Sequence, residues 1–105
     1  MENFVNGNEE NFKELISSPK LTIVDFWADW CGPCRNQLSI LEEYAKNNQD
    51  IQVVKINVDE NTELASEYGV KSIPTLIYFK SGNIEHKTVG VQQEDQLNQI
   101  KNELV

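Results

Sequence analysis

The 105-residue chain has room for one core, and a hydrophobic content of 39% is enough to fill it. Its 9 basic residues against 17 acidic ones leave a net charge of -8, which repels nucleic acid and anionic lipid. No apolar run approaches the roughly 20 residues that span a bilayer, and Met1 to Phe12 lacks an apolar stretch of signal-peptide length. The expectation is a single domain over 1–105, soluble, cytoplasmic and monomeric, with neither nucleic acid nor membrane as partner.

In chain order, Asn8 can cap a helix whose apolar positions Phe12, Leu15 and Ile16 share one face, and Pro19 marks its end. Leu21 to Trp27 is rich in β-branched and aromatic residues, too short for a helix and nearly continuous, as in a strand covered on both faces. From Cys34 the positions Leu38, Leu41 and Ala45 recur at helical spacing, and Ile51 to Val58 returns to strand character. This strand, helix, strand unit predicts two parallel strands. Asn61 or Thr62 starts a short helix through Leu64, Ala65 and Tyr68, stopped by Gly69. Thr75 to Phe79 and Ile84 to Val89 read as a hairpin turned by Ser81, Gly82 and Asn83, and Leu97, Ile100 and Leu104 form a closing helical stripe. The alternation predicts a mixed sheet with helices on both faces.

The two cysteines, Cys31 and Cys34, fall between the first predicted strand and the helix after it. Residues three apart on a helix are neighbours, so the sulfurs can close into a disulfide and reopen without backbone movement. A helix start also aims free N-H groups and the positive end of the dipole at Cys31, which favours its thiolate and marks it as a nucleophile. Cys34, on the stripe of Leu38 and Leu41, faces inward and is placed to resolve a mixed disulfide formed at Cys31. Pro33 lies in the first turn, where its missing N-H costs nothing, and Gly32 lets a substrate backbone come close. No histidine stands between the cysteines to stabilise the thiolate, which favours a reductant over an oxidant, and the exposed Arg35 adds little charge there. A zinc site needs four ligands, whereas the chain offers one dithiol and a lone His86, so no metal is expected without a dimer. A structural bridge closing so small a loop would remove little chain entropy. His86 itself reads as a solvated strand residue.

Asp25 interrupts an apolar strand and must be paired, protonated or wet. It could serve as a proton acceptor for Cys34 through a water, or form a structural ion pair with Lys55, which also breaks an apolar strand. Trp27 reads as core, without chemistry.

Val24 to Ala28 run into Trp30, Cys31, Gly32, Pro33 and Cys34. Lys55 follows within Val54 to Asp59, then Ile73, Pro74 and Thr75, then Gly90 after Val89. In this order and spacing the chain resembles the thioredoxin family over essentially its whole length. The resemblance implies an α/β thioredoxin fold: three layers, α/β/α, with a central mixed five-stranded sheet flanked by four helices. It implies a thiol-disulfide oxidoreductase that binds no cofactor of its own and cycles a Cys31-Cys34 disulfide. Asp25 would be the buried proton acceptor and Lys55 its buried partner. The Ile73-Pro74 bond would be cis, where an arbitrary proline would be trans at a strand start, and would lie against the dithiol and block metal capture by it. Trp30, Ile73, Gly90 and Val91 would line a substrate groove around Cys31. The implied partners are disulfide-containing proteins and a flavoprotein thioredoxin reductase drawing on NADPH. The alternatives are a donor dedicated to one enzyme and a module that holds a partner without turnover. The chain departs from the family at Ser39, where a kinking proline is usual and a straighter helix is now expected. It departs also at Ser72, a frequent glycine, and at Asn36 and Gln37, which are more polar than usual.

Overall fold

The computed structural model describes residues 2–104. In chain order the elements are β1 (Phe4–Asn6), α1 (Phe12–Ile16), β2 (Leu21–Trp27), α2 (Gly32–Asn47), β3 (Ile51–Asn57), α3 (Thr62–Glu67), β4 (Thr75–Lys80), β5 (Asn83–Val89) and α4 (Glu94–Leu104). One five-stranded sheet has the order β1-β3-β2-β4-β5. β1, β3 and β2 are parallel, and β4 and β5 are antiparallel to their neighbours. The mixed sheet with helices on both faces is therefore as expected, with β2 at its centre.

Successive strand residues point to opposite faces, and the core divides by that parity. Leu21 and Ile23 of β2, Ile51 and Val53 of β3, and Leu76 and Tyr78 of β4 meet Leu41, Tyr44 and Ala45 of α2 and Leu97 of α4. Val24, Phe26, Val54, Ile56, Ile77 and Phe79 meet Phe12 and Ile16 of α1 and Leu64 of α3 on the other face. Asp25 shares the parity of Leu21 and Ile23, so its carboxyl belongs to the α2 side. That is the layer in which Cys34 also lies.

The Asn8 side chain accepts from the Glu10 and Asn11 N-H groups, its own N-H donates to Asn11 Oδ1, and its carbonyl accepts from Phe12, so Asn8 caps the turn that runs into α1, whose regular helix begins at Phe12. α3 starts at Thr62, next to Asn61, as expected. Asn61 precedes α3, but its side chain donates to the Asn57 carbonyl and accepts from the Glu9 N-H, so it ties loops together instead. Gly69 ends the α3 region at φ 64, and Ser81 and Gly82 turn the β4-β5 hairpin with φ of 51 and 84.

Strand β1 has no pattern of its own in a polar segment, and tertiary contacts make it. Buried Asn3 donates through Nδ2 to the carbonyls of Ala45 (2.8 Å) and Ile51 (3.2 Å), which pins the strand to the end of α2 and the start of β3. Gly7 then crosses β3 so closely that a Cβ would stand 2.6 Å from Cγ1 of Val54 and 2.7 Å from Cδ1 of Ile56. Gly7→Ala should therefore lower stability by about 1–3 kcal/mol, the usual cost of overpacking. Urea unfolding checks this; an unchanged midpoint would show that β1 shifts freely.

Candidate active site

β2 ends at Trp27, and buried Ala28 receives the Cys31 N-H on its carbonyl at 3.2 Å, turning the chain into α2. Cys31 is the N-cap of that helix, in extended conformation, and its sulfur accepts from the Cys34 N-H at 3.2 Å. Pro33 sits in the first turn. The cysteines are joined as a disulfide with Cα atoms 5.2 Å apart. Cys31 is the more accessible, at 6% exposure against 0% for Cys34, although both are largely covered in this oxidised state. No group of three or more His, Cys, Asp or Glu among the described residues gathers as metal ligands. His86, read as solvated, is half-buried, with its ring 5.7 Å from that of Tyr78.

The Ile73-Pro74 peptide is cis, and the Ile73 carbonyl oxygen lies 3.8 Å from the Cys31 sulfur. In the dithiol state a Cys31 S-H can donate to that carbonyl. Gly90, at φ 95, donates its N-H to the Pro74 carbonyl at 2.9 Å, so the loop after β5 is fastened to the proline segment. Trp30 is 69% exposed, while Ile73, Gly90 and Val91 are half-buried. Trp30 is held by an indole N-H donated to Oδ2 of Asp59 at 2.9 Å, a pairing without a motif in the sequence. Arg35, exposed as expected, donates to the Asp29 carbonyl at 2.9 Å. Trp27, read as core, packs with Val58 and Ile73 against the cluster of Ala28, Cys31 and Cys34 and thus forms part of the site's wall.

These features coincide with a family match. The thioredoxin family model covers residues 3–103. The chain belongs to the thioredoxin family. It is 48% identical over 90 residues to a thioredoxin of Alicyclobacillus acidocaldarius, covering 85% of this chain and 86% of the relative. It is 44% identical over 94 residues to a thioredoxin of Rickettsia prowazekii, covering 88% and 90%. A thioredoxin-like protein of Synechocystis is 47% identical over 89 residues, covering 83% and 85%. With the cysteine pair in disulfide contact, the chain is a thiol-disulfide oxidoreductase of the thioredoxin fold.

Asp25 is 0% exposed, and neither carboxyl oxygen has a hydrogen-bond partner. Burial pushes its pKa up to about 8, and the Lys55 charge opposes that shift too weakly to cancel it. Lys55 pairs in register with Asp25, yet it is half-buried and its Nζ lies 4.5 Å from the centroid of the Phe4 ring. The Lys101 to Asp50 pair is the ion pair found among the described residues, so the structural pairing of Asp25 with Lys55 is not formed. α2 runs unbroken through Ser39, and Ser72 accepts from the Thr75 hydroxyl beside the cis bond.

In the unfolded chain Asp25 ionises at the low pH usual for a carboxylate, and in the fold near 8. Between those values the folded state holds the extra proton, so stability falls as pH rises and levels off above the folded value. Asp25→Asn should match the native oxidised protein near pH 4 and exceed it increasingly towards pH 8, by at most about 1.4 kcal/mol per pH unit. Urea titrations at several pH values test this, and parallel curves for the two proteins would contradict it.

Proposed function

We propose that the chain is a general protein disulfide reductase of the cytoplasm, a single-domain monomer that is recharged by a thioredoxin reductase drawing on NADPH. Asymmetry within the dithiol carries this reading. Cys31 caps α2 and is the sulfur closer to solvent, while Cys34 is sealed in the core beneath it. The Cys31 thiolate attacks one sulfur of a substrate disulfide, a mixed disulfide forms, and the other substrate sulfur leaves as a thiolate. Cys34 then loses its proton and attacks the Cys31 sulfur. The remaining substrate thiolate is expelled, and the Cys31-Cys34 disulfide stores the oxidation. Two electrons have passed to the substrate, and the reductase must return two.

Asp25 is the proton acceptor in this scheme. With its pKa raised to about 8, the ionised fraction of this buried carboxyl takes the Cys34 proton near neutral pH and becomes the neutral acid, whereas an ordinary carboxylate is far too weak a base. Gly32 and Pro33 are exposed beside Cys31. Lys55 acts only by its field on Asp25. Trp30, Ile73, Pro74, Gly90 and Val91 receive an extended substrate segment, with backbone pairing at Ile73 supplying affinity that tolerates many sequences.

Insulin reduction with NADPH and a bacterial thioredoxin reductase provides the test. The native chain should turn over, Cys31→Ser should be inert, and Cys34→Ser should accumulate mixed disulfides. Turnover by either serine variant at the native rate would eliminate the mechanism. Stopped-flow measurement separates the steps for Asp25→Asn. Near neutral pH this variant should slow release about 10-fold or more, within the usual range for general base catalysis, with little change in the first attack. Equal slowing of both steps would assign Asp25 a structural role instead.

A further inference from the structure

Gln37 is fully buried in α2, one turn after Cys34, at a position where solvent-facing polarity would be the ordinary expectation. Both ends of its amide bind one residue. Nε2 donates to the Gln92 carbonyl at 3.1 Å, and Oε1 accepts from the Gln92 backbone N-H at 2.6 Å. A side-chain amide thus pairs with a single residue's backbone as a neighbouring strand would. Two residues earlier, the Gly90 N-H is held by the Pro74 carbonyl. The segment 90–92 is therefore fastened at both ends, to the cis-proline segment on one side and to the helix of Cys34 on the other. Val91, half-buried, is presented between the two fastenings.

We propose that Gln37 is a positioning residue for substrate docking. By clamping the Gln92 backbone it fixes the Gly90-Val91 wall relative to Cys31, and so sets how tightly an extended peptide bearing a disulfide is held before attack. Gln37 does not touch the reacting sulfurs in this role. An apolar residue of equal size would fill the same space but leave the Gln92 N-H and carbonyl unpaired in a partly buried loop, which then relaxes away from its position. This inference rests on the docking reading above and gives that wall a cause within this chain.

The test uses single capture events, independent of any reductase. In a Cys34→Ser background, a cysteine peptide activated as a mixed disulfide with a nitrothiobenzoate group is offered over a range of concentrations. Cys31 attacks the peptide sulfur, a protein-peptide disulfide forms, and the coloured aryl thiolate leaves. With Gln37→Leu added, the half-saturating peptide concentration should rise about fivefold, the scale of one lost net hydrogen bond. The limiting rate, and the rate with the small aryl disulfide that has no peptide backbone, should stay within about twofold of the Gln37 protein. Exchange of the Gln92 amide hydrogen should accelerate while amides of β2 keep their protection. Gln37→Met, unbranched and of similar length, replaces the leucine variant if that one does not fold.

An unchanged half-saturating concentration would overturn the role of Gln37 while leaving the docking reading intact. So would equal slowing with peptide and aryl disulfide, which would place the effect on Cys31 itself. Absence of any peptide capture by the Gln37 protein would instead remove the docking reading, and this inference with it.

Discussion

Strand β2 is covered on both faces, and this burial governs the site at its end. Its residues from Leu21 to Phe26 are almost entirely withdrawn from water, with β3 and β4 on either side and helices above and below. Such a strand can release its chain only at the sheet's end, where α2 begins at once and exposes its unpaired N-H groups. Cys31 stands at that junction. The fixed placement of Cys31 therefore comes from the core, about 1.5–3 kcal/mol for each fully buried large apolar side chain, and none of it need come from the loop itself.

The same burial gives Asp25 its properties. A carboxyl without a hydrogen-bond partner in the centre of a sheet is a cost, and the fold accepts it without an ion pair: the Lys55 ammonium lies over Phe4 instead. Had the pair closed, the charge of Asp25 would be fixed and its proton affinity would fall to that of an ordinary carboxylate. Without a closed pair, Asp25 keeps a pKa raised to about 8 and can exchange a proton near neutral pH. Trp27, with a buried indole N-H also lacking a partner, lies beside the dithiol. Unpartnered polar atoms at Asp25 and Trp27 thus lie by the chemistry, while those of Asn3, Tyr78 and Thr88 lie elsewhere in the fold.

Much of this was legible in the residues because it depends on local pattern. β2 shows in its β-branched run, α2 in the recurrence of Leu38, Leu41 and Ala45, and the dithiol in the spacing of Cys31 and Cys34. What was not legible depends on partners remote in sequence. β1 is three residues long and exists because Asn3 and Gly7 fit against β3 and α2. The Trp30 to Asp59 bond joins residues whose loops meet only in the fold. Gln37 was hidden by its own polarity. Helical periodicity assigns the inward stripe to apolar residues and selects Leu38, which is only half-buried, whereas Gln37 is the buried neighbour. The signal that could have found it is geometric: position 37 follows Cys34 by one turn, so a side chain there shares the inward face whatever its chemistry.

That placement connects the two ends of the site. The general reductase proposed above needs a groove that does not rely on side chains matched to one sequence, so its docking is assigned to backbone edges held at a fixed distance from Cys31. The Ile73 carbonyl is one such edge, 3.8 Å from Cys31. The loop carrying Gly90 and Val91 is the other, and it follows an outer strand whose tip residues are exposed, where loops ordinarily have little to restrain them. Gly90 alone fastens one point and would leave the loop free to pivot about the Pro74 carbonyl. A second fastening at Gln92 removes the pivot, and its origin in α2 means that helix, dithiol and groove wall move as one body. An apolar side chain at position 37 would retain the packing of the helix and lose that coupling, which is why a polar residue buried at a core position is better understood through the loop it holds than through the core it interrupts.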